Sequence, residues 1–350
     1  MTRGKAIPDL AKQVKERLDR PALKRDDAPA GSDTHIISTG STLLDLAISG
    51  GRFPRGGIPS GILVEIFGPA SSGKTVMLCE LAGAVQRSGG AVMFRDPEAR
   101  LNNQFAKLFG FEVEQADYAQ PDTVTELFEP IKKWEPKNEN GGINGVFADS
   151  LAALSTELEM ESGDKYGLRR AKEFSEQCRL TCRVLAQRNL LMVCSNQVRQ
   201  NIDAGPFEQK YKSPGGEAIA FYSSLRLRCH SPRKIHRERK IGRGTVRRVV
   251  GVETVVEVYK SSVAQPYRTA PVSILYDYGV DDIRANLDFV KQALGASSYR
   301  VGEQSLGDAL DRAIGKVEEG NLEADLKQQT IELWHEIEEK FKVERTGKRR

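Results

Sequence analysis

Lys74 and Thr75 close the run Gly68-Pro69-Ala70-Ser71-Ser72-Gly73-Lys74-Thr75. These residue types in this order suit one task, which is holding a chain of phosphates. Glycines let successive backbone N–H groups converge on phosphate oxygens, and a helix opening there adds positive potential. Lys74 brings a point charge to the outer phosphates, and Thr75 offers a hydroxyl to a Mg²⁺ ion bound with them. The pattern G-x-x-x-x-G-K-[ST] carries weight only between a strand and a helix. Both flank it here: the apolar run "ILVEIF" leads in, and helix-compatible Thr75–Arg87 leads out.

Other residues could complete that chemistry. Asp149 ends the apolar run "NGVFAD", where a carboxylate can hold the hydration shell of Mg²⁺. A strand-end Asp also serves as a plain helix cap. Glu98, in "FRDPEARL", follows another apolar run, "AVMF". A carboxylate there could orient and deprotonate an attacking water, or simply sit in a solvated turn. Gln197 and Arg199 follow "LLMVCSN" and open the long polar stretch "QVRQNIDAGPFEQKYKSPGG". A loop of that length is functional or disordered. Its basic residues, mixed with Phe207 and Tyr211, suit backbone contacts and base stacking. Between Arg233 and Arg248 stand eight Lys or Arg residues, among them Arg233, Lys234, Arg237, Arg239 and Lys240, beside the single acid Glu238. That density of one sign points to an anionic polymer, against the alternative of a solvated hairpin.

The elements that must position these residues follow from periodicity. The four apolar runs alternate with the helix-compatible segments Thr75–Arg87, Arg100–Phe109, Val124–Trp134 and Leu168–Arg188. Such alternation predicts an α/β fold, a mostly parallel sheet flanked by helices, with functional residues past the carboxyl ends of the strands. After Phe221, "SSLRLRCH", "VVGVETVVEVYK" and "APVSILYD" read as strands that extend the sheet, joined by the basic stretch. Leu287–Leu294, Leu306–Val317 and Leu322–Phe341 read as helices of a small C-terminal domain. Leu10, Val14 and Leu18 mark a short amphipathic helix, followed by the linker "KRDDAPAGSDT". The expected division is a helix and linker over 1–34, a core over 35–280, a small domain over 281–342 and a basic tail over 343–350.

Composition sets bounds. The chain has 350 residues and a net charge of only +4, so affinity for nucleic acid must come from local clustering. Its five cysteines include no C-x-x-C pair and no zinc spacing, which predicts buried free thiols in a reducing compartment. No apolar run approaches bilayer length and the N-terminus lacks a signal core, which predicts a soluble cytoplasmic protein with no membrane partner.

Taken in order, "ISTGSTLLDLAISGG", "GPASSGKT", "FRDPEARL", "QPDTVTELFE", "VFADSLAAL", "YGLRRAKEFSEQCRLT", "SNQVRQNI", "SPGGEAIAFYSSLRLR" and "VYKSSVAQPYRTAPVSILYDYGVD" resemble the RecA family of DNA strand-exchange ATPases. The resemblance runs from about His35 to Val290. It implies a RecA-like P-loop ATPase core that binds ATP and Mg²⁺, hydrolyses ATP, binds single- and double-stranded DNA and assembles as a filament for recombination and repair. It implies that Glu98 is the catalytic glutamate and that Gln197 senses the γ-phosphate. Asn102 and Phe105 would meet the adenine. Gly163–Arg170, with Arg169 and Arg170, would be the first DNA-binding loop. Val198–Pro214, with Arg199, Phe207, Lys210 and Lys212 and continuing into Gly215 and Gly216, would be the second. The N-terminal helix would be the arm that docks on the next subunit.

The chain also departs from the family pattern. Two family lysines that reach the neighbouring subunit's nucleotide fall on Lys260 and Ser262. Family basic residues for the second DNA strand fall on Val255 and Glu257, and the 233–248 cluster is a candidate replacement. The tail ends in Lys348, Arg349 and Arg350 where family members tend to be acidic. Two readings therefore stand at the level of sequence: a filament-forming recombinase, and a RecA-fold ATPase without strand exchange, either a ring translocase or an ATP-switched regulator.

Overall fold

Continuous apolar runs such as "ILVEIF" and "LLMVCSN" can be satisfied only when a strand is covered on both faces. The computed structural model, which describes residues 36–136, 142–156, 167–197, 199–200, 211–212 and 217–345, buries them in that way. The expected N-terminal helix and the end of the basic tail lie outside those residues.

The strands of the first half are β1 (Ile36–Ile37), β2 (Ile58–Pro59), β3 (Leu63–Gly68), β4 (Val92–Arg95), β5 (Asp117–Ala119), β6 (Gly145–Ala148) and β7 (Leu191–Gln197). Then come β8 (Arg199–Gln200), β9 (Tyr211–Lys212), β10 (Leu225–Cys229), β11 (Arg233–Ile241), β12 (Gly244–Ser261), β13 (Thr269–Leu275) and β14 (Gly279–Val280). A small hairpin, β15 (Tyr299–Val301) and β16 (Gln304–Gly307), follows. The helices are α1 (Thr42–Ser49), α2 (Lys74–Arg87), α3 (Asn103–Leu108), α4 (Val124–Lys133), α5 (Gly167–Arg188) and α6 (Glu217–Tyr222). The last three are α7 (Asp282–Ala293), α8 (Leu310–Glu319) and α9 (Glu323–Lys340).

Ten strands form one sheet in the order β14-β13-β12-β10-β3-β7-β6-β4-β5, with β11 added to β12. From β10 to β5 every pairing is parallel. The β10–β12, β11–β12, β12–β13 and β13–β14 pairings are antiparallel. The expected α/β class and the β extension are both present. Alternation of side chains splits each central strand between two cores. Val64, Ile66, Phe94, Phe147, Leu191 and Val193 pack on one face with α2. Leu63, Met93, Val146, Ala148, Met192 and Cys194 pack on the other with α4 and α5. Local chemistry supports this. α4 opens on a capping box between Thr123 and Glu126, and its Val124, Leu127, Phe128 and Ile131 are buried at helical spacing.

Several boundaries differ from expectation, each for a readable reason. α3 starts at Asn103 because Asn102 caps it, so Arg100 and Leu101 stay in the preceding turn. α7 starts five residues before Leu287, capped by Asp281. Leu306 lies on β16, not in a helix, and α8 begins at Leu310. The 42–49 segment is a fully buried helix, whose all-round burial leaves no amphipathic signal. The basic stretch is itself a strand pair, discussed below. α7, α8 and the β15–β16 hairpin share an apolar cluster centred on Leu287, Val290, Val301, Leu306 and Val317. Ile331 and Trp334 of α9 close over Leu46 of α1.

Asp45 of α1 is buried and accepts from the Ser38 hydroxyl, from the Thr39 backbone N–H at 2.8 Å and from the Thr39 hydroxyl at 2.7 Å. Burial outweighs these bonds and pushes its carboxyl up to about 6 from 3.8. The folded state therefore holds this proton more tightly than the unfolded chain. The associated stability is complete below about pH 4 and is lost as pH rises through about 6, on the order of 3 kcal/mol at most. Urea unfolding of wild type and Asp45→Asn across that window should show a stability difference that shifts against the wild type as pH rises. A pH-independent difference contradicts the assignment.

Candidate functional site

The phosphate turn leaves the carboxyl end of β3, and the neighbouring strands deliver the other candidates to the same edge. Gly68, the first residue of the turn, pairs directly with Gln197 at the end of β7. Asp149 follows β6, and its N–H bonds the carbonyl of Arg95 at the end of β4, at 3.0 Å. Glu98 lies three residues beyond Arg95. The parallel order β3-β7-β6-β4 thus gathers four separate sequence segments.

The turn is held from below. Gly73 sits at φ +87° at the mouth of α2, and a Cβ there would meet Ile274 at 2.3 Å. A Cβ on Gly68 would meet the Cys229 carbonyl oxygen at 2.4 Å. Gly68 is needed for space against a backbone atom, and Gly73 for its left-handed backbone conformation. Ser71 also has positive φ, and the Ser72 hydroxyl ties back to the Pro69 carbonyl at 2.9 Å. The Lys74 Nζ donates to the carbonyls of Gly68 at 3.2 Å and Pro69 at 2.7 Å. Burial holds its pKa below the ordinary value, opposed by Cys229, Asp149 and Glu98. Phosphate oxygens would offer that ammonium charged acceptors in place of neutral carbonyls.

Thr75 and Asp149 are hydrogen-bonded to each other, and Asp149 also accepts from the Ser195 hydroxyl. Burial raises the Asp149 pKa, and Glu98 and Asp96 add to the rise. Among the described residues no cluster of three or more His, Cys, Asp or Glu side chains could hold a metal. One hydroxyl and one partly buried carboxylate beside a phosphate site is nevertheless the donor set Mg²⁺ uses, with phosphates and waters completing its shell. These residues fit that ion.

Glu98 is held by three donors. Its Oε1 accepts from the Ser150 hydroxyl at 2.7 Å and from Gln197 Nε2 at 3.2 Å. Its Oε2 pairs with Arg100 at 3.0 Å. The turn that carries it is fixed by Ala99 at φ +53° and by Asp96, whose Oδ2 accepts from Leu101 N at 2.8 Å and Tyr118 OH at 2.9 Å. A carboxylate fixed at this edge can orient a water toward the end of a phosphate chain. Ser150, Ser195, Asp96 and Arg100 are supporting residues that the sequence reading did not single out. Their one signal is adjacency to a strand-end carboxylate or glutamine.

A cleft of about 700 Å³ beside Thr75 is lined by Arg100, Leu101, Asn102, Gln104, Phe105 and Leu108. Phe105 is half-buried and packs edge-on against Phe109, with ring centroids 4.7 Å apart. Asn102 lines the cleft, but its Oδ1 is engaged as the α3 cap, accepting from Gln104 N at 2.8 Å and Phe105 N at 3.2 Å. Lys260 stands apart from this group. Its Nζ donates to the carbonyls of Ala220 at 2.9 Å and Phe221 at 2.8 Å, capping α6.

The second long loop begins at Gln197 and is closed at its base by the β8–β9 pair, with Arg199 opposite Lys212. The backbones of Arg169 and Arg170 lie at the start of α5. Side chains of Arg169, Arg170, Arg199 and Lys212, together with Phe207, Lys210, Gly215 and Gly216, lie outside the described residues. Arg233, Lys234, Arg237, Arg239 and Lys240 all lie on β11. Arg233 is ion-paired with Glu253.

The family model of the RecA N-terminal domain matches residues 5–281. Protein RecA of Thermus thermophilus is 32% identical over 353 residues, covering 99% of this chain and 96% of the relative. Protein RecA of Acholeplasma laidlawii is 30% identical over 347 residues, covering 97% and 96% respectively. Protein RecA of Methylococcus capsulatus is 33% identical over 316 residues, covering 88% and 86%.

The geometry makes separable predictions for binding and turnover. Lys74→Ala should abolish ATP binding, because the outer phosphates lose their point charge. Glu98→Gln keeps the shape and the contacts to Ser150 and Gln197 but removes the carboxylate charge that could take a proton, and with it the pair to Arg100. It should bind ATP within a few-fold of wild type and turn over roughly 10²-fold more slowly or worse. Equilibrium binding combined with single-turnover hydrolysis checks both. Unchanged turnover in Glu98→Gln would remove its assigned role.

Proposed function

Because the chain belongs to the RecA family, we propose that it is an ATP-dependent DNA recombinase, assembling as a filament on single-stranded DNA and catalysing homologous pairing and strand exchange in the cytoplasm. The observation that carries this reading is the 3.2 Å contact between Gln197 and Glu98. It joins the residue suited to activate water to the first residue of the long loop suited to bind DNA. That junction supports ATP-switched DNA binding, and similarity to RecA proteins over nearly the whole chain supports the strand-exchange part of the reading.

In this reading Gly68–Thr75 cradle the ATP phosphates, and Phe105 and Asn102 flank the base in the adjoining cleft. Thr75 and Asp149 would hold Mg²⁺, which would supply charge neutralisation at the outer phosphates. Glu98 accepts a proton as the water oxygen attacks the γ-phosphorus and the bond to the ADP oxygen breaks. Gln197 donates to the γ-phosphate or to Glu98 according to the nucleotide present, so the loop after it has two preferred states. Arg169, Arg170 and the 199–216 loop bind single-stranded DNA, and the β11–β12 ribbon meets the duplex. The N-terminal helix and linker over 1–34 form an arm that docks on the next subunit, and residues 281–342 act as a small appended domain.

One observation favours the rival ATPase without strand exchange. Lys260 is engaged with α6, and the position of a second lysine is taken by Ser262, whose hydroxyl donates to the Ser224 carbonyl at 3.2 Å. Hydrolysis across a subunit interface would then have weaker cationic support. Electron microscopy with single-stranded DNA and a non-hydrolysable ATP analogue, run beside a labelled-strand exchange assay, separates the two. Helical filaments and homology-dependent transfer of the label are expected. Rings or discrete particles without transfer would overturn the recombinase reading.

A further inference from the structure

The basic run from Arg233 to Arg248 folds as the distal part of an antiparallel ribbon, β11 against β12. The turn is Gly242-Arg243, with Gly242 at φ +61°, where a two-residue hairpin loop of the Gly-X kind needs glycine. From Arg239 to Val249 the ribbon is exposed on both faces. No burial rule therefore dictates its residues, and the distribution of charge over the two faces becomes informative.

Residues directly opposed across an antiparallel pair share a face, and successive pairs alternate. Arg237 opposes Arg248, Arg239 opposes Val246, and Ile241 opposes Gly244, so these fall on one face. Glu238 opposes Arg247 and Lys240 opposes Thr245 on the other. The 3.8 Å ion pair between Arg247 and Glu238 agrees with that division. The ribbon's single distal acid is thus spent on the second face. Nearer the base, Arg233 pairs with Glu253, and Arg228 and His230 face Glu257 at 3.9 and 3.2 Å. Arg237, Arg239 and Arg248 have no carboxylate within ion-pair distance among the described residues.

We propose that the face formed by Arg237, Arg239 and Arg248, with Val246 and Ile241 toward its tip, is a docking face for duplex DNA, and that the opposite face of the ribbon is not. The inference rests on the recombinase reading's assignment of the ribbon to duplex DNA and adds which side docks. Opposed like charges destabilise a strand pair, so Arg237 against Arg248 costs the free ribbon stability. A phosphate placed over the pair attracts both guanidiniums and offsets that repulsion. Arg239 stands two residues from Arg237, about 7 Å along the strand. Each guanidinium can grip phosphate oxygens with two donors. A two-stranded ribbon fits the major groove, where Ile241, 66% exposed, could meet sugars or thymine methyls.

The test uses the full chain and a fluorescent random-sequence duplex titrated over a range of salt. The triple variant Arg237→Gln/Arg239→Gln/Arg248→Gln should lower the log–log salt slope by about three, near 0.9 per lost contact. Lys240→Gln/Arg247→Gln on the opposite face should lower it by less than about one. Arg248→Glu guards against misfolding, since it turns the opposed pair into an ion pair that favours the ribbon and should still lower duplex affinity about tenfold or more. Equal slope losses from the two faces would overturn the one-sided docking while leaving the ribbon on DNA. No loss from either would overturn the ribbon's assignment to DNA altogether. Loss of binding to phosphatidylserine vesicles, with duplex binding unchanged, would reassign the face to an anionic membrane surface.

Discussion

Two ends of this chain's chemistry meet at one hydrogen bond, from Gln197 Nε2 to Glu98 Oε1. It requires that β7 and the turn after β4 end at the same edge, and that β3 deliver the phosphate turn between β7 and β10. Each strand is buried on both faces, so a register slip would move every side chain of that strand into the wrong core. Hydrophobic alternation, with Val64 and Ile66 on one side and Leu63 on the other, therefore fixes the positions of Lys74, Gln197 and Glu98. Packing sets the site, and the polar residues inherit its geometry.

The same constraint explains a buried polar group beneath the site. Glu65 of β3 is fully buried and accepts from Asn196 of β7 at 3.0 Å and from Arg226 of β10 at 2.6 Å. Arg226 also stacks over Phe67 at 4.5 Å and Tyr259 at 5.4 Å. A lone buried carboxylate would be costly, and this one is fully partnered. Its three strands are the one carrying the phosphate turn, the one ending in Gln197 and the one following α6. The group ties together the strands on both sides of the long loop. Lys260, next to Tyr259, extends the tie by capping α6.

Much of this was legible in the sequence because it depends on local pattern. The strand-turn-helix context of Gly68–Thr75 and the double-sided burial of the central strands leave strong signatures. So do the strand-end positions of Glu98, Asp149 and Gln197. What was hidden depends on neighbours distant in sequence. Ser150 and Ser195 stand beside strand-end polar residues, but their partners Glu98 and Asp149 are distant in sequence. Glu65 reads as an interruption of an apolar strand until Arg226, far along the chain, is set beside it. Helix α1 escaped because burial all round removes periodicity, and β11 was legible only as the alternative of a solvated hairpin because its distal residues are exposed on both faces. The gathering of Arg237, Arg239 and Arg248 on one face, with Arg247 paired to Glu238 on the other, needs a register, which a sequence does not supply.

The central claim is that Gln197 transmits the nucleotide state to the loop that follows it. A group can shift an equilibrium only through contacts that differ between the two states, and linkage makes such coupling reciprocal. The direct measurement titrates single-stranded DNA onto wild type and Gln197→Ala with an ATP analogue, with ADP and without nucleotide. The account predicts that the variant binds ATP nearly normally while its DNA affinity becomes the same in all three conditions. If Gln197→Ala keeps the wild-type ratio of ATP-state to ADP-state affinity, the contact with Glu98 is not the link and the account is contradicted.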